Sequence, residues 1–348
     1  MYKNAARELE SDGHTVRILG RDYDCTVPLL EYYGLTYELY GKCDPSKFSL
    51  FRELPNHYTN IFRKVRELNP DLIFGYGAYS AHAGTIAGAP VITVFDSEPT
   101  RLDHLVSKPF TSVQLTPTAF RKDLGDKHYT FNGFKETAYL HPDVFETTNN
   151  GVEDELDIGG DEPYVLLRFN AFGSHHDLGE SGFTVSEKER LIDELSTLAT
   201  VFVSDEGDQL DVGLVEAESF DLHPAKIHDA LAHASLLVAD TQTMVTEAAL
   251  LGTPAIRSNS FVGDSDMGNF KELEARNLIH NERTLDAVLD RANAILTDPS
   301  AQQRWQERRE SYIGNCVNLT RLIVDIATEF EESDEEIEQI VERKEELT

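Results

Sequence analysis

Cysteine is nearly absent. The 348 residues include three, Cys25, Cys43 and Cys316, and no CxxC pair. An odd number without that spacing argues against a disulfide framework and a cysteine-based zinc site, and fits a reducing cytoplasm. Long apolar runs are also missing: no uninterrupted stretch reaches the length of roughly 18 residues expected of a transmembrane helix. The opening residues, MYKNAARELESDGHTV, lack the apolar core of a signal peptide. Basic residues are scarce. Lys plus Arg number 31, with only 12 Lys, against 62 Asp plus Glu, for a formal charge of −31. The resulting field repels nucleic acid and anionic lipid. It points to a surface adapted to high salt, where repulsion is screened; an acidic protein at ordinary salt is the alternative. In both cases an anionic ligand has to be held by local donors.

What the chain does have is alternation. KNAARELESDGH reads as a helix closed by Gly13, and TVRILG as a strand. VPLLEYYG is helical and LTYELYG extended, and residues 48–70 carry a long helical pattern interrupted near Pro55. DLIFGYG, PVITVFD, SVQLT and HYTFNG read as strands, SAHAGTIAG and AFRKDLG as helices. PVITVFD bears β-branched residues on both faces, as a buried parallel strand does. Asn-, Gly- and acid-rich residues 146–162 interrupt the pattern, and a second run of strands and helices follows. The expected domains are therefore 1–147 and 163–328, with a linker at 148–162 and a solvated acidic helical tail at 329–348. Two such runs predict an α/β protein with two Rossmann-like, doubly wound parallel sheets facing a cleft. Ligands of such sheets bind beyond the carboxyl ends of the strands, so the cleft is the expected site.

The richest stretch is VADTQTMVTEAALLGTPAI, 238–256. A strand ends at Asp240, and either Asp240 or Thr241 can cap the helix that follows. A helix N-terminus after a strand's carboxyl end suits a diphosphate. Thr241, Gln242 and Thr243 add neutral donors, and Met244 begins an apolar stripe continued by Ala248 and Leu251. Glu247 lies one turn beyond Thr243 on the same face, where a carboxylate can accept from vicinal ribose hydroxyls. An ordinary capped helix with one polar residue has the same spacing. In RFNAFGSHHD, 168–177, Arg168 can neutralise a phosphate, and His175 or His176 can donate to it or act as acid or base; a surface loop is the alternative. Asp96 and Glu98, after PVITVFD, suit a catalytic base or sugar hydroxyls, or a helix N-cap with a first-turn acid. Lys135, Glu136 and His141 read as cleft-edge residues. The DSD at 264–266 sits in a Gly-rich loop of the wrong architecture for a metal-binding DxD, and Trp305 and Tyr312 read as core.

These motifs resemble a known family. An acid within a TEAALLGTPAI-type helix is similar to the nucleotide-sugar site of the glycosyltransferase-B superfamily and of the non-hydrolysing UDP-N-acetylglucosamine 2-epimerases. QTMVTEAALLGTPAIRSNSF resembles more closely the signature of a prokaryotic domain-of-unknown-function family, three-five-four, placed in that superfamily. ELESDGHTVRILGRD, NPDLIFGYG, APVITVFDSE, LTPTAF and NGFKETAYLHPDVF follow the same order, and together they span roughly residues 4 to 328. The resemblance implies that Glu247 holds a ribose and that Thr241, Gln242, Thr243 and Met244 hold a diphosphate. It implies a nucleoside-diphosphate sugar, UDP-linked, as substrate, an acceptor, and no tightly bound cofactor or metal. The epimerases place a catalytic acid in a segment comparable to that of Asp96 and Glu98. They also carry a His-Arg-Arg-Glu-Asn motif where this chain has RFNAFGSHHD, which tells against a direct epimerase assignment. Family members begin with a further strand ahead of the first helix, so the first strand of the N-terminal domain is expected to be missing and the true start to lie upstream. A glycosyltransferase, an epimerase and a non-catalytic nucleotide-sugar-binding protein remain open.

Overall fold

The computed structural model describes residues 1–43, 49–146, 151–159, 162–170, 182–207, 210–264 and 266–329. The chain forms two compact units, Met1–Val144 with the chain from Asn315 onward, and Phe145–Gly314.

The first unit runs α1 (Lys3–Ser11), β1 (Ile18–Asp22), α2 (Thr26–Tyr32), β2 (Tyr37–Lys42), α3 (Ser49–Leu68), β3 (Ile73–Gly75), α4 (Gly77–Ala87), β4 (Val91–Val94), α5 (Arg101–Ser107), β5 (Val113–Pro117), β6 (His128–Phe131) and α6 (Thr137–Leu140). Strands β3 to β6 pair in sequence order, all parallel, and β1 and β2 form a separate parallel pair. Every residue of β4 is buried, as its two-faced β-branched pattern predicts. Two expectations give way to tertiary packing. Helix α3 continues through Pro55, because losing one backbone hydrogen bond is outweighed by its buried stripe of His57, Ile61 and Val65. AFRKDLG is not helical: Phe120 and Leu124 pack on Phe95, and Arg121 and Lys122 bond to Glu98.

The second unit contains α7 (Val152–Glu155), β7 (Tyr164–Phe169), α8 (Val185–Leu195), β8 (Thr200–Asp205), β9 (Glu218–Ser219), α9 (Ile227–His233), β10 (Leu236–Ala239), α10 (Thr243–Leu251), β11 (Ala255–Arg257), α11 (Gly268–Ala275), β12 (Ile279–Asn281), α12 (Leu285–Leu296) and α13 (Ala301–Ile313). Its parallel sheet has the order β12-β11-β10-β7-β8-β9. The chain winds outward from β7 on one side and from β10 on the other. The topological switch point thus lies between β7 and β10, where doubly wound sheets bind ligands. Val165, Leu167, Val203, Leu236, Val238 and Ile256 join α8, α12 and Trp305 in one core; full burial of each such apolar side chain contributes about 1.5–3 kcal/mol. Trp305 donates to Leu278 O at 2.8 Å, a core role as read from its spacing. Part of the expected linker is folded, since α7 buries Val152 and packs on α9.

The last described helix, α14 (Leu319–Glu329), belongs to the first unit. This differs from the expected boundary, which assigned residues up to 328 to the second domain. Leu319, Leu322, Ile323 and Ile326 form an i, i+3, i+4, i+7 stripe packed with Ala5, Ala138 and the β4–β6 core. Thr320 Oγ1 donates to Ala138 O at 2.6 Å, and Val317 N to Asn132 O at 2.7 Å. No helix among the described residues is long and apolar enough to cross a membrane.

Candidate functional site

Strand β10 is four buried apolar residues, Leu236–Ala239, and Asp240 follows it beside the switch point. Asp240 is 2% exposed. It accepts from Asn170 N at 2.7 Å and Phe183 N at 3.3 Å, so it joins this loop to the chain following β7. Burial pushes its carboxyl up to about 7, although those two N–H groups favour the ionised form. Asn259 Nδ2 holds Asp240 O at 2.9 Å from the loop after β11.

With Asp240 so engaged, the expected cap does not form. Gln242 occupies the N-cap position of α10, no side chain caps the helix, and the buried Thr241 Oγ1 has no partner among the described residues. The positive end of a nine-residue helix therefore lies at the switch point, with orphan N–H groups that no side chain among the described residues satisfies. Thr243 is exposed there, and Thr241, Gln242 and Met244 are half-buried. From Val245 to Leu251 every residue is buried, and Gly252 ends the helix in the left-handed conformation (φ 79°).

Glu247 is the only charged residue of that buried helix and is 7% exposed. An isolated buried carboxylate is costly. Here it is met by His228 of α9, whose Nε2 lies 3.1 Å from Glu247 Oε1. A carboxylate only accepts, so Nε2 carries the hydrogen. Nothing in the sequence around His228 marks it, because its partner is on a different helix and no local spacing joins the two.

Arg168, at the end of β7, is half-buried and committed to Ser204 and Glu206 rather than open to a phosphate. His175 and His176 lie outside the described residues. Asp266 of the DSD is paired with the buried Arg257, whose guanidinium stacks 3.7 Å from the Phe270 ring centroid. Among the described residues no group of His, Cys, Asp and Glu is arranged to hold a metal ion.

The first unit brings a second set together at the carboxyl ends of β3, β4 and β6. Asp96 follows β4, and Lys135 and Glu136 follow β6. Lys135 Nζ lies 2.5 Å from Asp96 Oδ2 and 3.7 Å from Glu136 Oε1. Burial disfavours the Lys135 ammonium, but Glu136 and Asp96 outweigh it and hold the group above the ordinary lysine range. Tyr76, which follows β3, completes the row. Its ring is 45% exposed over Phe95, and burial of its hydroxyl, with Asp96 nearby, pushes the phenol up to about 12. Neither expected acid caps a helix. Glu98 is buried and accepts from Arg121 N at 3.3 Å, which makes it a brace for the 120–124 turn. The acid in the first turn of α5 is Asp103, whose Oδ1 accepts from Ala78 N at the start of α4. His141 is buried in a turn and accepts from Asp143 N at 3.2 Å.

No family model matches the sequence, and no curated protein is detectably similar to it. Solved structures are. UDP-GlcNAc 2-epimerase from Neisseria meningitidis, bound to UDP-GlcNAc, superposes with a TM-score of 0.65 at 12% identity, over 94% of this chain and 96% of that one. Anabaena HepE in complex with UDP and glucose gives 0.60 at 14% identity, over 94% and 95%. MurG from Acinetobacter baumannii gives 0.57 at 17%, over 94% and 95%. At these identities the likeness establishes the fold of the chain, which is of glycosyltransferase-B type.

Proposed function

We propose that the protein binds a nucleoside-diphosphate sugar on its second unit and transfers the sugar to an acceptor. The observation that carries this reading is the uncapped N-terminus of α10 at the β7/β10 switch point, with the buried Glu247 one turn further in. The N–H groups of residues 243–245 and the helix dipole would hold the diphosphate, helped by Thr241, Gln242 and Thr243. Glu247 would accept from the ribose hydroxyls. On a chain of formal charge −31 these local donors have to offset long-range repulsion. UDP is the nucleotide favoured, since UDP or UDP-GlcNAc occupies two of the similar structures. Arg168 contributes only if it exchanges Glu206 for a phosphate.

Transfer needs a base for the acceptor hydroxyl and stabilisation of the departing diphosphate. Asp96 is the base we favour, with the Lys135 ammonium beside it to orient its carboxyl. The helix N-terminus supplies the stabilisation and calls for no resident metal. Titration calorimetry in high salt tests the binding step. UDP should bind, and Glu247→Ala should weaken it at least about tenfold, as loss of charged hydrogen bonds does. Absence of any heat with UDP would remove the proposal.

A second reading, a sugar-nucleotide epimerase, is favoured by the Asp96–Lys135–Glu136 row, which places two carboxylates about one ammonium. In deuterium oxide without an acceptor, an epimerase incorporates deuterium at the sugar C2. A transferase releases nucleotide only when an acceptor is added, and a non-catalytic binding protein does neither.

A further inference from the structure

Glu247 is out of keeping with its helix. Val245, Thr246 and Ala248 to Leu251 around it are all buried, and packing alone does not call for a charge there. An apolar pair in place of a buried ion pair is commonly neutral or stabilising. The carboxylate is retained together with His228, across a 3.1 Å contact, and both side chains keep a narrow opening to solvent, at 10% and 15% exposure. The imidazole is itself held. Phe145 meets it edge-on at 6.1 Å and 87°. The turn leading into α9 is capped by His223 Nδ1, which accepts from Ala225 N at 3.2 Å, and Lys226 is tied to Glu155. A glutamate has three side-chain torsions, and a fixed donor on one oxygen sets the plane of the other.

We infer that His228 is the positioning residue of a ribose clamp: its Nε2–H fixes the Glu247 carboxylate in the orientation that accepts from the two vicinal hydroxyls of a ribonucleotide. This rests on the nucleotide reading above. It adds that the choice of ribose over deoxyribose is set by a histidine on the neighbouring helix. A clamp of fixed geometry rejects a ligand lacking one hydroxyl because its own acceptor is then left unsatisfied. A carboxylate free to rotate can turn to other partners, and the distinction fades.

The test uses the full chain in high salt. Calorimetry measures UDP, ADP, GDP and CDP and their 2′-deoxy counterparts, and the tightest ribonucleotide is carried forward. Three variants are compared. In His228→Gln the side-chain amide nitrogen reaches the position of Nε2, in His228→Asn it falls one bond short, and His228→Ala has no donor. The wild type should prefer the ribonucleotide at least about tenfold. His228→Gln should keep most of that preference, whereas His228→Asn and His228→Ala should reduce it to about threefold or less, with affinity for the deoxynucleotide nearly unchanged. A merely structural role for His228 would weaken both nucleotides alike, and that result overturns the inference, as does an unchanged preference in His228→Asn. Binding with no ribose preference in the wild type overturns the clamp and leaves the nucleotide reading standing. Binding of none of the four removes both.

Discussion

Asp240 and His280 carry opposite proton linkages within the second unit. Burial holds Asp240 near 7, against an ordinary value of 3.8. The protonated form is therefore favoured by folding. Its contribution is full below about pH 4 and lost as pH rises through about 7. His280, against Trp305, is pushed down to about 4 from 6.5 by burial and then by Arg291 and Arg308. Its contribution is full above about pH 6.5 and lost as pH falls through about 4. The two oppose each other between those limits. Asp240→Asn removes one of them, so its urea midpoint should fall more steeply than that of the wild type on acidification from about pH 6.5 to 4. Parallel pH profiles for the two proteins would show that Asp240 does not titrate in this range. The same residue shows what a sequence hides. Its place at the end of a strand was legible, but its two N–H partners, Asn170 and Phe183, are 70 and 57 residues away, so a cap was expected where a tether stands. The His228–Glu247 contact spans 19 residues and two helices, and no periodicity marks it.

Helix α10 was the most legible element, because its length, its apolar content and its Gly-Thr-Pro stop all agree. Its last turn makes a specific demand. Gly252 sits at φ 79°, and a Cβ there would come within 2.7 Å of the Gln306 side chain. Gly252→Ala should cost about 1–2 kcal/mol from the left-handed backbone alone. A thermal midpoint lowered by a few degrees would show it, and an unchanged midpoint would mean the turn is not under that constraint. Elements decided by distant contacts were harder to read. AFRKDLG has helical composition but is drawn into a turn by Glu98 and the Phe95 cluster. Short pieces such as α5, α11 and β12, with seven, eight and three residues, carry too little periodicity to stand out. Even the apolar stripe of α14 could not have placed it on the first unit's sheet, because an amphipathic helix records that it is buried and not against what.

At the scale of the whole molecule, alternation was enough to indicate two parallel α/β units, whereas the switch point in the second is set by a strand order that alternation does not encode. The formal charge of −31 acts on everything else. Self-repulsion should ease as the screening length shrinks from about 10 Å at 0.1 M salt to about 3 Å at 1 M. The thermal midpoint should therefore rise across that range in a scanning experiment; a flat response would mean the acidic surface is not under net strain. Every functional role proposed for the second unit depends on a nucleoside diphosphate being held at the start of α10. A crystal structure grown with saturating UDP tests it most directly. The diphosphate should lie within hydrogen-bonding distance of the N–H groups of residues 243–245, with the ribose hydroxyls on Glu247. UDP bound elsewhere in the second unit, with α10 bare, would contradict it.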